Sequence, residues 1–366
     1  MPSDLRDTGD AAEAGRGRGL SYRDAGVDRD VAGATKRFIG EVVRTTHGPD
    51  VLSKIGGFGG IFRSPTVAYD GGAAALVASA DGVGTKLRVA QMAGIHDTVG
   101  QDLVNHCVDD ILVEGARPLF FLDYIGMGPL EGGVVEALVA GMAQACRENG
   151  LALLGGETAQ MPDFYDAGEY DLAGFIVGVA PADPEKRPGS HRVHAGDVLV
   201  GIASDGFHTN GYSLLRRLFF ERMGLGLEDE FPELGLPIGQ VLLRVHRSYL
   251  TPVMPLIEEG RIRALAHITG GGIPENLARV IPDGLEARVQ RSTWEMPAEF
   301  FGVMRAGDVA EEEMYRTFNM GVGMILVVAP ADELDVVERL RAAGEDAWGL
   351  GVVQAVPTGE PRVKLL

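Results

Sequence analysis

The segment Gly100–Pro118, GQDLVNHCVDDILVEGARP, constrains this chain more than any other. At about 100° per residue it forms one helix with two unlike faces. Leu103, Val104, Cys107, Val108, Ile111 and Leu112 fall on one side, and Asp102, Asn105, His106, Asp109 and Asp110 on the other. Gly115 and Pro118 end the helix, because a glycine takes the left-handed turn and a following proline cannot continue it. A merely solvated face mixes Lys and Glu, which favour helices. This one carries Asp, Asn and His, which are weaker helix formers, with no Lys or Arg before Arg117. Crowded carboxylates repel one another, so the face calls for a positive partner, and oxygen donors of this kind suit Mg²⁺. The plainer reading is an acidic face open to water.

A chain of 366 residues has room for two domains, each with its own core. Its 33 basic and 52 acidic residues give a net charge of −19. That balance argues against nucleic acid or an anionic membrane surface as the main partner. It leaves room for a phosphorylated ligand held by a metal or a local positive site. Cys107 and Cys146 are the only cysteines. Both fall in helical stretches, so they read as buried thiols in a reducing cytoplasm rather than a disulfide or a zinc site. No run has the length of a signal-peptide core or a membrane span. Residues 1–19, rich in Gly, Asp, Arg and Ala, read as a disordered tail.

Periodicity predicts a short helix over 36–46, then a glycine-rich loop, Lys54 to Gly60, read as a mobile flap or a linker. A strand over Ala73–Ala80 runs into Asp81-Gly82-Val83-Gly84-Thr85-Lys86, and a helix follows to about Ala93. Strands are expected at Leu119–Tyr124, at Leu151–Leu154 and at Leu172–Val179, with a helix over Gly133–Asn149. Pro181, Pro184, Pro188 and Gly189 mark a boundary between an N-terminal domain, 20–180, and a C-terminal domain, 181–366. The second half opens with a strand over Val198–Ala203, a loop over Ser204–Gly211 and a helix over Tyr212–Met223. A strand near His267, another at Met324–Val328 and a helix over Leu334–Ala343 follow. The class is α/β or α+β.

Several strand–loop joints carry candidate chemistry. Gly82 and Gly84 let the backbone turn its N–H groups toward an anion. Asp81 is placed to bind a metal, and Lys86 to hold a phosphate as a point charge. Glu157, after two glycines, offers another oxygen. His208 suits acid or base work near neutral pH, with Ser204, Thr209 and Asn210 as polar ligands. Gly270, Gly271 and Gly272 precede Pro274 and read as a phosphate cradle. Each also has a plain reading: a tight turn, a loop glutamate, a loop histidine, a strand–turn–helix joint. The ordinary nucleotide and hydrolase signatures are absent. There is no G-x-x-x-x-G-K-[ST], no H-E-x-x-H and no G-x-S-x-G, and Glu131 stands where Gly126-Met127-Gly128 needs a third glycine. Carboxylates gathered around an ion at strand ends are a recurring design for phosphoryl transfer.

In order along the chain, LSYRDAGVD (20–28), KIGGFGGIF (54–62), DGVGTKLR (81–88), QDLVNHCVDDILVEGARPLFFLDY (101–124), GGETAQMP (155–162), YDLAGFIVGV (170–179), HTNGYSLLR (208–216), HITGGGIPENLARV (267–280) and EMYRTFNMGVGM (313–324) resemble the phosphoribosylformylglycinamidine cyclo-ligase, or AIR synthetase, family. The resemblance implies a two-domain AIR synthetase-like fold and a homodimer. The N-terminal α/β domain would complete a barrel across the dimer, and the active site would lie in the cleft before the C-terminal α/β domain. It implies ATP and Mg²⁺ as cofactors and formylglycinamidine ribonucleotide as substrate, closed to aminoimidazole ribonucleotide. It further implies Asp81, Asp102, Asp109, Asp110 and Glu157 as metal ligands. Gly82, Gly84, Thr85 and Lys86 would hold phosphates, and Gly56, Gly57, Gly59 and Gly60 would fold over the nucleotide. His208 would transfer a proton, with Asn210 and Gly270–Gly272 near substrate. The family often reads Asn-Asp where this chain has Asp109-Asp110, which leaves open which of the pair binds metal. It often reads Ser-Ser-Gly where this chain has Ser204-Asp205-Gly206, and Asp205 would repel a substrate phosphate. Competing readings are thiamine-monophosphate kinase or selenophosphate synthetase of the same superfamily, and a nucleotide-binding module without turnover. HTNGYSLL and EMYRTFNMGVGM favour the cyclo-ligase.

Overall fold

The computed structural model describes residues 20–21, 41–54, 57–69, 72–359 and 362–366. The expected tail at 1–19, Gly56 and residues 36–40 of the expected first helix lie outside them; 41–44 are helical. The first half contains β1 (Gly60–Tyr69), β2 (Gly72–Gly82), α1 (Lys86–Ala93), α2 (Asp97–Val113), β3 (Arg117–Met127), α3 (Gly132–Glu148), β4 (Ala152–Gln160) and β5 (Tyr170–Pro181). Its sheet has the order β1-β2-β5-β3-β4. Pairing is antiparallel except between β3 and β4, which α3 connects as a parallel crossover. Helices α2 and α3 approach closely because Gly100 and Gly141 lie at the crossing. A Cβ at Gly100 would run into the Leu138 carbonyl, and one at Gly141 into the backbone of Asp97.

The second half contains β6 (Val198–Ala203), α4 (Tyr212–Arg216), α5 (Ile238–Leu242), α6 (Leu250–Glu258), β7 (Ile262–His267), α7 (Gly272–Leu277), β8 (Leu285–Val289), α8 (Ala298–Gly307), α9 (Glu311–Thr317), β9 (Val322–Val328), α10 (Glu333–Ala342), β10 (Ala347–Ala355) and β11 (Val363–Leu365). These strands form a six-stranded sheet of order β11-β8-β10-β6-β9-β7. β9, VGMILVV, is buried along its whole length, as an unbroken apolar run demands. Two expected boundaries move. The strand expected to stop at Leu154 continues to Gln160, because its backbone keeps pairing with β3 through Tyr124↔Glu157 and Met127↔Gln160. The helix expected over Tyr212–Met223 changes to a wider π-type turn over Arg217–Arg222. Cys107 and Cys146 are free and buried. Among the described residues no helix is long and apolar enough to cross a membrane.

The first sheet buries one face against α2. Among the described residues nothing covers the other face at Phe62, Leu122 and Phe175, which are exposed on three strands, and Leu154 is 62% exposed on the edge strand.

The polar face of α2 is not open to water. Asp102 and Asp109 are 0% exposed because the second half lays the segment 244–249 along them. Asp102 Oδ1 accepts the His246 N–H at 2.6 Å, and Asp109 Oδ1 accepts the Tyr249 N–H at 2.8 Å. Between them Asn105 Nδ2 donates to the His246 carbonyl at 2.7 Å. The spacing matches: seven helical residues rise about 10.5 Å, and three extended residues span about 10 Å. Lys86, the first residue of α1, completes the seam. Its ammonium lies 2.8 Å from Asp102 Oδ2 and donates to the carbonyls of Arg244 at 2.5 Å and His208 at 3.2 Å. Removing one member of a buried pair leaves the other charge unpaired, at a cost of about 3–5 kcal/mol. Asp102→Ala should therefore lower the unfolding midpoint strongly in calorimetry. Lys86→Met combined with Asp102→Asn, which keeps an acceptor for the His246 N–H and buries no charge, should lie closer to wild type than either single variant. An additive double variant would contradict the pairing.

Candidate active site

A cleft of about 500 Å³ opens between the halves, lined by Asp81, Gly82, Gly84 and His106 from the first and by Thr209, Asn210 and Thr269 from the second. Asp81 enters from the end of β2, where the pairing with β5 runs out. Its Oδ1 accepts the Gly82 N–H at 2.7 Å, and its Oδ2 lies 2.9 Å from His106 Nε2. Burial alone would raise the Asp81 carboxyl; the bond to His106, the charge of His106 and the Gly82 N–H outweigh it and hold the pKa below the usual value. Burial opposes a charge on His106 as well. The bond to Asp81 and the charges of Asp110, Asp81 and Asp109 overcome that and raise His106 to about 9, so the ring is an imidazolium at neutral pH.

Asp110, one turn along α2, lies 3.9 Å from the same His106 nitrogen. Its Oδ1 takes a bond from His267 Nδ1 at 3.0 Å, and its Oδ2 one from Ser79 Oγ at 3.4 Å. The remaining protons follow from the network. Because His267 donates through Nδ1, its Nε2 accepts. His246 Nε2, 3.0 Å away, must therefore donate. His246 Nδ1 then accepts from the Thr209 hydroxyl at 3.4 Å, and Thr209 accepts from His106 Nδ1 at 2.9 Å. Burial holds both His246 and His267 below the ordinary histidine pKa, which agrees with neutral rings.

A second cleft, about 480 Å³, is lined by Gly57, Phe58, Gly59 and Gly60 with Ser79 and Ala80. Its glycine loop is tied at both ends of the neighbouring elements. Ser79 Oγ donates to the Phe58 carbonyl at 3.2 Å, and the Glu114 carboxylate after α2 accepts the N–H groups of Phe58 and Gly59.

The structure thus brings Asp81, Gly82, Gly84 and Asn210 to one cleft, with Asp110 buried behind His106 and Gly57, Gly59 and Gly60 in the neighbouring cleft. Gly270 lies against Asn210, whose Oδ1 would be 3.1 Å from a Cβ there. Gly271 and Gly272 have φ of 99° and 60°, and a Cβ on Gly272 would strike the Tyr315 carbonyl, so close packing of α7 on α9 requires glycine there. Thr85 binds Ser213 across the halves at 3.0 Å. Four expectations change. Lys86 is no free phosphate ligand, because its ammonium is fully buried and spends its protons on Asp102 and two carbonyls. Asp102 and Asp109 each give an oxygen to a backbone N–H instead of converging with Asp81. His208 is buried rather than a loop side chain in the cleft. Its φ is 56°, its ring stacks on His246 with centroids 4.0 Å apart, and its Nε2 accepts the Asp205 N–H at 3.2 Å. Glu157 is exposed on the edge strand β4, three strands and about 14 Å from β2; Gly156 is the residue level with Asp81, through Gly174 and Asp123, so Glu157 is level with Gly82 and faces the opposite side of the sheet. His246 enters the neighbourhood from outside every quoted motif, while His267 and Arg279 lie within HITGGGIPENLARV, where neither was singled out.

Mg²⁺ prefers hard oxygen donors. Asp81 and Asp110 supply two such donors on either side of His106 Nε2, at 2.9 and 3.9 Å, and the proton of His106 places positive charge between them. Those two carboxylates fit the ion. Asp102 does not, since Lys86 already neutralises it.

Residues 65–180 match the family described as AIR synthase related protein, N-terminal domain, and residues 194–364 match its C-terminal domain. A phosphoribosylformylglycinamidine cyclo-ligase of Trichlorobacter lovleyi is 47% identical over 336 residues, which is 92% of this chain and 95% of the relative. Another, of Desulfitobacterium hafniense, is 48% identical over 341 residues, 93% of this chain and 98% of the relative. Among solved structures, the hydrogenase maturation protein HypE in complex with ATP shares the fold with a TM-score of 0.58 at 19% identity, over 88% of each chain. With both domains matched in order and near-full-length relatives this similar, the chain belongs to the phosphoribosylformylglycinamidine cyclo-ligase family.

Proposed function

We propose that this enzyme uses ATP to close formylglycinamidine ribonucleotide to 5-aminoimidazole ribonucleotide, releasing ADP and phosphate, and that the cleft between the halves is where it does so. The observation that carries the proposal is that Asp81, at the wall of that cleft, and Asp110, buried behind it, flank the His106 imidazolium beside two glycine-bounded backbone cradles. We take 20–180 as the nucleotide-binding and dimerisation domain and 181–366 as its partner. The buried free thiols of Cys107 and Cys146 suit a reducing cytoplasm.

An amide oxygen leaves poorly. Once it attacks the terminal phosphorus of ATP and ADP departs, the oxygen carries a phosphoryl group and leaves easily. The neighbouring nitrogen of the same substrate then adds to the activated carbon, loses its proton, and the C–O bond breaks as phosphate leaves. Holding both groups in one ligand makes the closure effectively unimolecular. Mg²⁺ bound by Asp81 and Asp110 would neutralise charge on the transferring phosphoryl group. The N–H groups around Gly82 and Gly84 orient phosphate oxygens, and Asn210 and Thr209 orient the substrate from the opposite wall. His106 keeps Asp81 ionised. His208 acts through His246, on which it stacks, rather than on substrate.

The bare sheet face is a second copy's place. Phe62, Leu122 and Phe175 form an apolar surface that a dimer barrel would bury. Glu157 reaches a metal site only if that second copy brings one to it.

Two tests follow from this reading. Purified enzyme given Mg²⁺, ATP and formylglycinamidine ribonucleotide should form ADP and aminoimidazole ribonucleotide in equal amounts, and Asp81→Asn should cut turnover by about 10²–10³-fold while the variant remains folded at the assay temperature. ADP release that ignores the ribonucleotide, or near-wild-type turnover of the variant, would defeat it. For the dimer, Leu122 and Phe175 are cross-strand neighbours. Leu122→Glu with Phe175→Glu should convert a dimer to a folded monomer in analytical ultracentrifugation. A wild-type monomer would exclude the barrel.

A further inference from the structure

Arg279 follows α7 and extends its guanidinium over the ring of Phe58 in the glycine loop, 4.7 Å from the ring centroid. It is exposed, and among the described residues no carboxylate lies within 4.0 Å of it. In a chain of net charge −19 with 33 basic residues, most arginines that border a functional surface find an acid; Arg244, Arg247 and Arg263 all do. Partial burial lowers the Arg279 guanidinium below its usual pKa, and Asp110, Glu275 and Asp81 oppose that from a distance. The Phe58 carbonyl beneath it is held by Ser79, whose hydroxyl also reaches Asp110 Oδ2 at 3.4 Å. Arg279 therefore stands on the second half, across the glycine loop from the carboxylate pair. Lys86, the cation that the sequence offered for phosphate, is locked in the seam.

We propose that Arg279 is a phosphate-binding residue of this active site: its guanidinium, parked on Phe58, receives a phosphate group of the ligand that enters at the glycine loop. This rests on the reading of the cleft as the site of an ATP-dependent ring closure. A planar fork of donors matches two phosphate oxygens at once, and resting on an aromatic face keeps the fork charged and oriented without an acid to compete for it. The phosphate belongs either to ATP or to the ribonucleotide, and the kinetic constants separate the two.

Arg279→Met keeps an unbranched stem to pack on Phe58 and removes the charge; Arg279→Lys keeps charge without the fork. Arg279→Met should lower kcat/KM by about 10²-fold with an unchanged unfolding midpoint, and Arg279→Lys should recover only part of that. A rise confined to the KM for ATP assigns the nucleotide's phosphates, and one confined to the ribonucleotide's KM assigns the substrate's phosphate. Titration calorimetry with ATP and Mg²⁺, and separately with the ribonucleotide, reads binding without turnover, so a wild-type enzyme inactive on this ribonucleotide would defeat the proposed reaction while leaving Arg279 testable. Kinetics and binding of Arg279→Met within twofold of wild type would overturn the inference, as would a loss of activity matched by a lowered unfolding midpoint.

Discussion

The seam between α2 and the segment 244–249 governs what the rest of the molecule can do. A helix carrying Asp102, Asn105 and Asp109 on one side is unstable against water-free packing unless each oxygen finds a donor. The second half supplies backbone donors to one oxygen each of Asp102 and Asp109, at His246 and Tyr249, and α1 supplies Lys86 to the second oxygen of Asp102; Asp109 Oδ2 has no hydrogen-bond donor among the described residues. The arrangement fixes one half against the other at a register set by hydrogen bonds rather than by apolar contact alone. The cleft inherits that geometry. His208, held through its carbonyl by Lys86, precedes Thr209 and Asn210, which form one cleft wall, while α2 itself carries His106 and Asp110 to the other.

Four buried histidines sit where α2 meets the second half, and their charge states differ for physical reasons. His106 faces Asp81 and lies within reach of Asp110, so it keeps its proton. His246 and His267 are deeper, and burial dominates. His208 feels burial together with neighbouring positive groups and is pushed well below the ordinary value. One imidazolium among several neutral rings concentrates positive charge between the carboxylates of Asp81 and Asp110. The same electrostatics that would draw a divalent cation to Asp81 and Asp110 hold a proton there when no ion competes.

Much of the site's local chemistry was legible because it depends on neighbours in sequence. The strand end at Asp81, the glycines at 82 and 84, and the two-faced helix through Asp110 follow from spacing and propensity, and they fall where that spacing puts them. The demand for positive charge opposite the acidic face was also legible, but not its source. Lys86 reads as a phosphate ligand in DGVGTK because a motif records position along the chain, not the burial that the second half imposes. His246 lies in RVHRSY, which has no metal-ligand or catalytic spacing, and only the tertiary seam gives it a role. Glu157 needed the strand order: with β5 and β3 inserted between β2 and β4, a residue that reads as an adjacent loop acid lies at the far edge of the sheet.

An acidic protein that handles phosphates must keep its own charge away from them, and the distribution of cations shows how this one does so. The lysine at the mouth of the first cradle is spent on Asp102 and on holding the halves together, Asp109 is buried against the Tyr249 N–H, and Asp110 lies beside His106 and His267. What remains toward the opening is backbone N–H, the carboxylates of Asp81 and Asp171, and an arginine that, among the described residues, has no carboxylate within 4.0 Å. Backbone donors and a guanidinium fork recognise phosphate by shape as well as by charge. A net charge of −19 is therefore no obstacle to binding a polyanion, provided the excess negative charge sits elsewhere and the few positive groups at the opening are not already paired.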